Sequence, residues 1–388
     1  MTAALDRSRL HTLAESRLLN GDRLPVPPRD QRWLVEAAES VKLLGRGGAA
    51  FPVAAKLSAA RRGARVLANG GEGEPLSWKD RALMRRCPHL VVAGVAMTAA
   101  ALRSRHAVIA VSDAYAADLL TAAAEGTSVE VRRVGFGFVG GEIGALVNGL
   151  DGRAPVPNGV RVHATERGLG GRPTYASNVE TFAQLALLSA LGPEVYAAVG
   201  APAEPGVSLL TLHGTERDGV WEVPNGTDVR SLIGGDLRRP VLVGGYHGTW
   251  TTESRLSVDR LEMRRRGIRW GAGVLAVLPE ETCALGEIAR VARWLASRSA
   301  GQCGPCRFGL PAIVDDLARL AAGAEIDVDR LSRRLGYVHD RGACHHPTGA
   351  VAFMASGVGA FESEVRRHLA GRPCGRPVLG VLPLGDSA

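Results

Sequence analysis

Three lysines occur in the whole chain, Lys42, Lys56 and Lys79, and all fall in one short stretch, while arginine supplies every other basic position. That stretch reads Gly45-Arg46-Gly47-Gly48-Ala49-Ala50-Phe51-Pro52, then Lys56, then Asn69-Gly70-Gly71-Glu72-Gly73-Glu74-Pro75, then Lys79-Asp80-Arg81. A glycine-dense turn lets successive backbone N–H groups converge on an anion, and a lysine just beyond it adds a compact, mobile charge that arginine's rigid fork does not reproduce. Short glycine patterns also occur as plain surface turns, so neither loop alone carries a function.

The second constellation is made of cysteines. Cys303-Gly304-Pro305-Cys306 follows Ala300-Gly301-Gln302, and Cys344-His345-His346-Pro347 lies beyond two expected helices. A tight turn aims two thiolates at one point, and a helical hairpin can return a third. Iron–sulfur clusters take four ligands, usually cysteines, and three are evident here. Spacing alone does not separate such a cluster from tetrahedral zinc held by three thiolates and His345 or His346. Cys87, Cys283 and Cys374 are read as ordinary thiols.

The elements that must position these groups alternate in type. Residues 1–40 form an N-terminal segment, irregular and partly helical. From 41 to 200, strand-like runs such as Ala64 to Ala68 and His106 to Val111 alternate with helical runs such as Leu90 to Arg103, the pattern of a parallel sheet covered by helices. Ligands on such sheets bind beyond the carboxyl ends of strands, and Asn69 follows one. Residues 201–255 shift to short strands and turns, a small β domain, and 256–280 is expected to be a connecting segment. Helical periodicity dominates 281–372, with a tail at 373–388.

Composition narrows the function classes. An apolar share of 46% with 22% charged residues is that of a chain able to bury a large core. The net charge of +8 favours acidic partners, phosphates or an anionic surface. Aromatic residues are only 5% and no nucleic-acid motif accompanies the charge, so nucleic-acid binding is not expected. No apolar run is long enough for a transmembrane segment, and Met1 to Asp22 carries charges throughout, unlike a secretory signal. A cytoplasmic location is expected, with any peripheral association at the inner face of the membrane made through partners.

Taken together, these motifs resemble the NADH-oxidising flavoprotein subunit of respiratory complex I and the related subunits of NAD-linked hydrogenases and formate dehydrogenases. The family's Gly-Arg-Gly-Gly-Ala-Gly-Phe-Pro is matched by Gly45 to Pro52 with Ala50 in place of the last glycine, and Lys56 takes the place of its lysine. Asn69, Glu72, Glu74, Pro75, Lys79, Asp80 and Arg81 match its acidic loop. Gly141-Glu142 with Ala145-Leu146, Pro173-Thr174, and Asn178-Val179-Glu180-Thr181 match further motifs, and Gly301 to Arg307 is similar to its Cys-Gly-x-Cys-Thr-Pro-Cys-Arg.

The resemblance implies an α/β fold class in three parts: an FMN-binding parallel-sheet domain, a β-grasp (soluble-ligand-binding) domain, and a C-terminal helical iron–sulfur domain. It implies FMN held by Gly45, Arg46, Gly47, Gly48, Lys56, Asn69, Glu72, Gly141, Glu142 and Asn178, with Glu74 helping to seat the nicotinamide of NADH. An iron–sulfur cluster, 4Fe–4S or 3Fe–4S, would sit on Cys303, Cys306 and Cys344, and a ferredoxin-like or membrane redox protein would accept its electrons. No side chain need act as general acid or base for hydride transfer.

Departures accompany the matches. Gly71, Ile143 and Ser177 replace polar or acidic family residues, and Lys56-Leu57-Ser58-Ala59 stands where the family has Lys-Trp-Ser-Phe. Near Val160 to Thr165 the family's Lys-Pro-Pro-Phe-Pro is missing, and Ala300 takes the place of the first cysteine. Each lost ring removes a stacking contact worth roughly 1–3 kcal/mol in nucleic-acid systems. Two further readings therefore stand beside an NADH-oxidising flavoprotein: a flavin and iron–sulfur paralogue with another donor, and a non-catalytic, zinc-bearing scaffold protein.

Overall fold

The computed structural model describes residues 10–12, 15–135, 137–159, 162–234 and 239–385. Strand β1 (Leu10–Thr12) belongs to a sheet formed later in the chain. The first sheet contains β2 (Arg65–Gly70), β3 (Ala107–Val111), β4 (Val129–Arg133) and β5 (Thr174–Asn178), all parallel, in the order β4-β3-β2-β5. All five residues of β3 are buried, as expected for a strand covered on both faces. Side chains alternate between two cores: Val66 and Ala68 join Ile109 and Val111 under the helices Pro88–Ala101 and Val179–Ala197, while Leu67 joins Val108 and Leu146. Those two helices touch through Gly94, where a Cβ would collide with the Phe182 carbonyl.

The chain runs outward from β2 through β3 to β4, then returns to place β5 on the other side of β2. Asn69 pairs with Asn178 at the carboxyl end of this β2/β5 junction. Strand order reverses there, so the loops after β2 and β5 diverge and leave a crevice.

A two-residue ladder, β6 (Gly200–Ala201) and β7 (Glu204–Pro205), leads into the second domain. Its strands are β8 (Val207–His213), β9 (Gly219–Pro224), β10 (Val241–Val243), β11 (Thr249–Thr251) and β12 (Val274–Val277), in the order β1-β9-β8-β12-β10-β11. Without β1 this is second-first-fifth-third-fourth, with β12 parallel to β8 and a short helix, Val229–Ile233, between the second and third strands. That is the β-grasp arrangement. Two boundaries read from sequence are corrected. The expected connector 256–280 supplies the central strand β12, which is too short and too fully buried to show alternation. The N-terminal segment supplies the edge strand β1, paired in parallel with β9.

The last domain packs the helices Ala284–Ser297, Leu310–Ala321, Val328–Val338, His346–Ala360 and Glu362–Leu369 around Ile288, Leu295, Ile313, Leu317 and Phe353. The stretch after residue 372 is not a free tail. It runs back over the first of these helices, where Pro377 accepts from the Cys283 amide and Gly385 from the Trp294 indole.

Candidate functional site

The glycine loop closes on itself. The Gly45 amide donates to Phe51 O at 2.9 Å, the Ala50 amide to Gly47 O at 3.0 Å, and Ala50 takes a left-handed φ of 45°. The amides of Gly47, Gly48 and Ala49 meet no acceptor among the described residues, and all three residues face the crevice. The side chain of Lys56, on the following helix Val53–Ser58, has no hydrogen bond or ion pair among the described residues; its ammonium lies 5.9 Å from the Tyr175 ring centroid. Burial holds its pKa below the usual lysine value.

The facing wall is a braced acidic loop. Asn69 donates from Nδ2 to Gly141 O at 2.8 Å and accepts from the Gly71 amide at 3.0 Å, so the loops after β2 and before the helix Ile143–Leu150 are tied together. Glu72 accepts from Ser77 Oγ at 2.6 Å and from the Asp80 and Arg81 amides at 3.1 Å, thereby capping the helix Lys79–Arg86. Asn178 caps Val179–Ala197 and donates to Asp80 Oδ2 at 2.7 Å, while Glu142 caps Ile143–Leu150. Glu74 accepts from the Tyr246 amide at 2.7 Å, and burial pushes its carboxyl up to about 7.

All eleven residues named from sequence for the cofactor line one cavity of ≈ 450 Å³ at the β2/β5 junction. That volume is within the range of small-molecule sites, roughly 300–1,000 Å³. Two of the eleven contribute differently from expectation. The Arg46 guanidinium turns away, donating to Leu44 O and Val207 O and lying 3.6 Å from both Glu180 and Glu204; only its peptide faces the cavity. The Glu72 carboxylate is committed to its helix cap.

The cavity is not built from the first domain alone: Gly271 and Ala272 close it from the β-grasp domain. Lys79 and Asp80, which the sequence motif does not assign to the cofactor, line the same cavity. Lys79 Nζ lies 2.6 Å from Asp80 Oδ1 and 2.9 Å from Glu180 Oε2, and Glu180 also meets Arg46. Burial opposes the Lys79 charge, but the two carboxylates outweigh it and raise its pKa. Burial likewise lifts Asp80 to about 6.

In the helical domain, Cys303 and Cys306 lie on the turn that leads into Leu310–Ala321, close enough for each thiol to influence the other, with the Ala343 backbone beside Cys303. Burial first, then the neighbouring Cys303, pushes the Cys306 thiol up to about 12, and Cys344 adds to it. The three sulfurs do not all converge within 4.8 Å. Tetrahedral zinc would draw them to about 3.8 Å, given Zn–S near 2.3 Å, whereas a cluster spreads its ligands over several irons. The donor set and its spread therefore fit a cluster better than a single ion. His346 is not a fourth ligand, because its Nδ1 meets His247 Nε2 at 3.0 Å and its Nε2 meets Leu295 O at 3.0 Å.

Comparison with known proteins gives two family matches in chain order. Residues 38–187 match the Nuo51 FMN-binding domain, and residues 286–368 match the NADH-ubiquinone oxidoreductase-F iron-sulfur binding region. The chain thus carries, in order, the FMN-binding and iron–sulfur-binding domains of this flavoprotein family. Among the family's curated members, the F subunit of NADH-quinone oxidoreductase from Mycobacterium tuberculosis (strain H37Rv) is 29% identical over 393 residues, covering 90% of this chain and 87% of the relative. The F subunit from Escherichia coli (strain K12) is 29% identical over 371 residues, covering 85% and 83%. The fold is that of a chain of the air-oxidised NAD+-reducing [NiFe]-hydrogenase, with a TM-score of 0.82 at 24% identity, covering 98% of this chain and 73% of that one. The FMN-binding match holds the cavity's glycine and acidic loops, and the iron–sulfur match holds Cys303, Cys306 and Cys344. No helix among the described residues is long and apolar enough to cross a membrane.

Proposed function

We propose that this chain oxidises NADH at FMN seated in the β2/β5 cavity and passes the electrons singly, through an iron–sulfur cluster on Cys303, Cys306 and Cys344, to a ferredoxin-like or membrane redox protein. The observation that carries the reading is Lys56: an ammonium with no anionic partner, beside three amides with no acceptor, among the described residues, all facing one cavity. Those groups together suit a phosphate monoester.

FMN supplies two-electron exchange with a nicotinamide and one-electron exchange with a cluster. The chain's residues supply position and electrostatics. The 47–49 amides and Lys56 hold the phosphate, while Asn69, Asn178 and the Gly141-Glu142 turn fix the distance between the loops. Glu74, with its carboxyl near 7, keeps a proton through the lower half of the neutral range and presents an uncharged wall to the nicotinamide. Gly271 and Ala272 exclude water from the second domain's side.

A second reading, with a donor other than NADH, is favoured by one observation. In Leu57-Ser58-Ala59, Leu57 is buried and the other two are exposed without a ring, so Phe51, 54% exposed, is the ring offered at the cavity mouth. Stopped-flow mixing of the flavin-loaded protein with NADH, NADPH or a photoreduced deazaflavin separates the readings. Rapid bleaching of flavin absorbance by NADH supports the first; reduction by deazaflavin alone supports the second.

A further inference from the structure

Away from the cavity and the cysteine turn, four metal-binding side chains converge from three separated stretches. Cys283 precedes the helix Ala284–Ser297, Glu364 and His368 lie one turn apart on Glu362–Leu369, and Cys374 follows that helix. One donor atom from each lies within 4.8 Å of all the others. Cys283, Glu364 and His368 are 4%, 8% and 1% exposed, and Cys374 is half-buried. We propose that these four residues form a tetrahedral site for a divalent ion of the zinc type, separate from the iron–sulfur cysteines. Cys283 and Cys374, read from sequence as ordinary thiols, are thereby given a role.

The donor chemistry is that of zinc, which takes thiolate, imidazole and carboxylate ligands in four-coordinate sites. His368 is already oriented for it. Its Nδ1 lies 3.1 Å from Leu320 O, a contact that fixes Nδ1 as the protonated nitrogen and turns the Nε2 lone pair toward the group, where the Cys374 amide now meets it at 3.1 Å. A backbone carbonyl on the remote nitrogen is the usual support of a metal-bound histidine. Glu364 and His368, four residues apart, share one helix face. Cys283 Sγ donates to Glu364 Oε1 at 3.5 Å, and the Ala284 amide donates to the same oxygen at 3.1 Å. Arg376 pairs with the other carboxylate oxygen.

Charge balances once an ion enters. Binding releases the two thiol protons to solvent, and the resulting thiolates with the Glu364 carboxylate are matched by one divalent cation and the Arg376 guanidinium. Nothing is oxidised or reduced. A cavity of ≈ 530 Å³ lined by Cys283, His368, Cys374 and Arg376 gives the ion a way in. Closing donors from within 4.8 Å to the roughly 3.5–3.8 Å of a tetrahedral zinc shell needs only small side-chain rotations.

The site would pin the start of the returning C-terminal stretch. Beyond Cys374 that stretch accepts from the Tyr246 hydroxyl at Pro383 O, 2.6 Å, and brings Gly385 against Pro75, next to Glu74 in the acidic loop. An ion at Cys374 thus anchors a strap between the helical domain and the wall of the flavin cavity.

Metal analysis and zinc K-edge X-ray absorption of the full-length protein, purified anaerobically and dialysed against a weak chelator, test the site. Expected are near-equimolar zinc and a first shell of two sulfurs at about 2.3 Å with two lighter atoms at about 2.0–2.1 Å. Zinc should fall at least about tenfold in Cys374→Ser and His368→Gln with iron unchanged. Cys303→Ser should lose iron and keep zinc. Wild-type protein without zinc, an all-nitrogen/oxygen shell, a three- or four-sulfur shell, or Cys283 and Cys374 recovered as a disulfide would each overturn the proposal. Should both ligand variants fail to fold, the wild-type absorption spectrum decides alone.

Discussion

Lys79 Nζ lies 2.9 Å from Glu180 Oε2 in a buried pair beneath the flavin cavity, and with Asp80 on its other side that ammonium has no charge to spare for a ligand. Lys56, facing the same cavity, has neither partner. The packing commits Lys79 to the fold and leaves Lys56 for the phosphate that we propose it holds.

The buried pair is the more expensive of the two to break. Lys79→Ala takes the ammonium away from Asp80 and Glu180 at almost no exposure, leaving Glu180 with its 3.6 Å approach to Arg46, and is expected to destabilise the protein by about 3–5 kcal/mol. Chemical denaturation checks this. Lys56→Ala, which removes a half-buried cation with no partner, is expected to leave the unfolding midpoint of flavin-free protein nearly unchanged.

Ala50 holds a left-handed φ of 45°, a conformation that favours glycine. A non-glycine residue pays about 1–2 kcal/mol there, and glycine returns about 0.5–1 through its freer unfolded chain. Ala50→Gly should therefore stabilise the protein by about 0.5–1 kcal/mol, read as a higher melting temperature.

Glu74 makes stability depend on pH. Its carboxyl titrates near 7 in the fold against 4.5 when unperturbed, chiefly because it is buried. Between those values the folded chain binds more protons than the unfolded one, so stability falls as pH rises from about 4.5 to about 7. After allowance for solvent reaching part of this side chain, the loss is about 1–2 kcal/mol. Denaturation midpoints measured across this window should decline in the wild type, and Glu74→Gln should remove this component of the slope.

At the cysteine turn, iron and sulfide analysis should show loss of cluster in Cys303→Ser and in Cys344→Ser. His346→Gln should retain iron, because both ring nitrogens are committed to His247 and Leu295. Loss of iron in His346→Gln with the fold intact would make that histidine a ligand after all.

The glycine loop and the Asn69 loop were legible as walls of one cavity because each is a run of a few consecutive residues that follows a recognisable strand or turn. Their mutual approach was legible only through the parallel-sheet pattern, which places Asn69 and Asn178 at adjacent strand ends. What escaped is non-local. Nothing in Gly45-Arg46-Gly47 tells which way the Arg46 side chain turns, since Glu180 and Glu204 are far along the chain. Strand β12 is four residues, three of them buried in a row without alternation, and its neighbours Gly271 and Ala272 reach the cavity only once the second sheet has folded. Cys283 and Cys374 each stand alone in sequence, and only the return of the C-terminal stretch brings them together.

The central claim is that Lys56 and the 47–49 amides hold the FMN phosphate, and anaerobic titration of flavin-free protein with FMN, followed by flavin fluorescence, tests it most directly. A charge-assisted contact of about 1.5–3 kcal/mol makes FMN binding roughly 10- to 100-fold weaker in Lys56→Ala than in the wild type, with riboflavin affected little by the same substitution. Equal FMN affinity in the two proteins, or no flavin binding by the folded wild type, would contradict the placement of the cofactor and with it the proposed redox role.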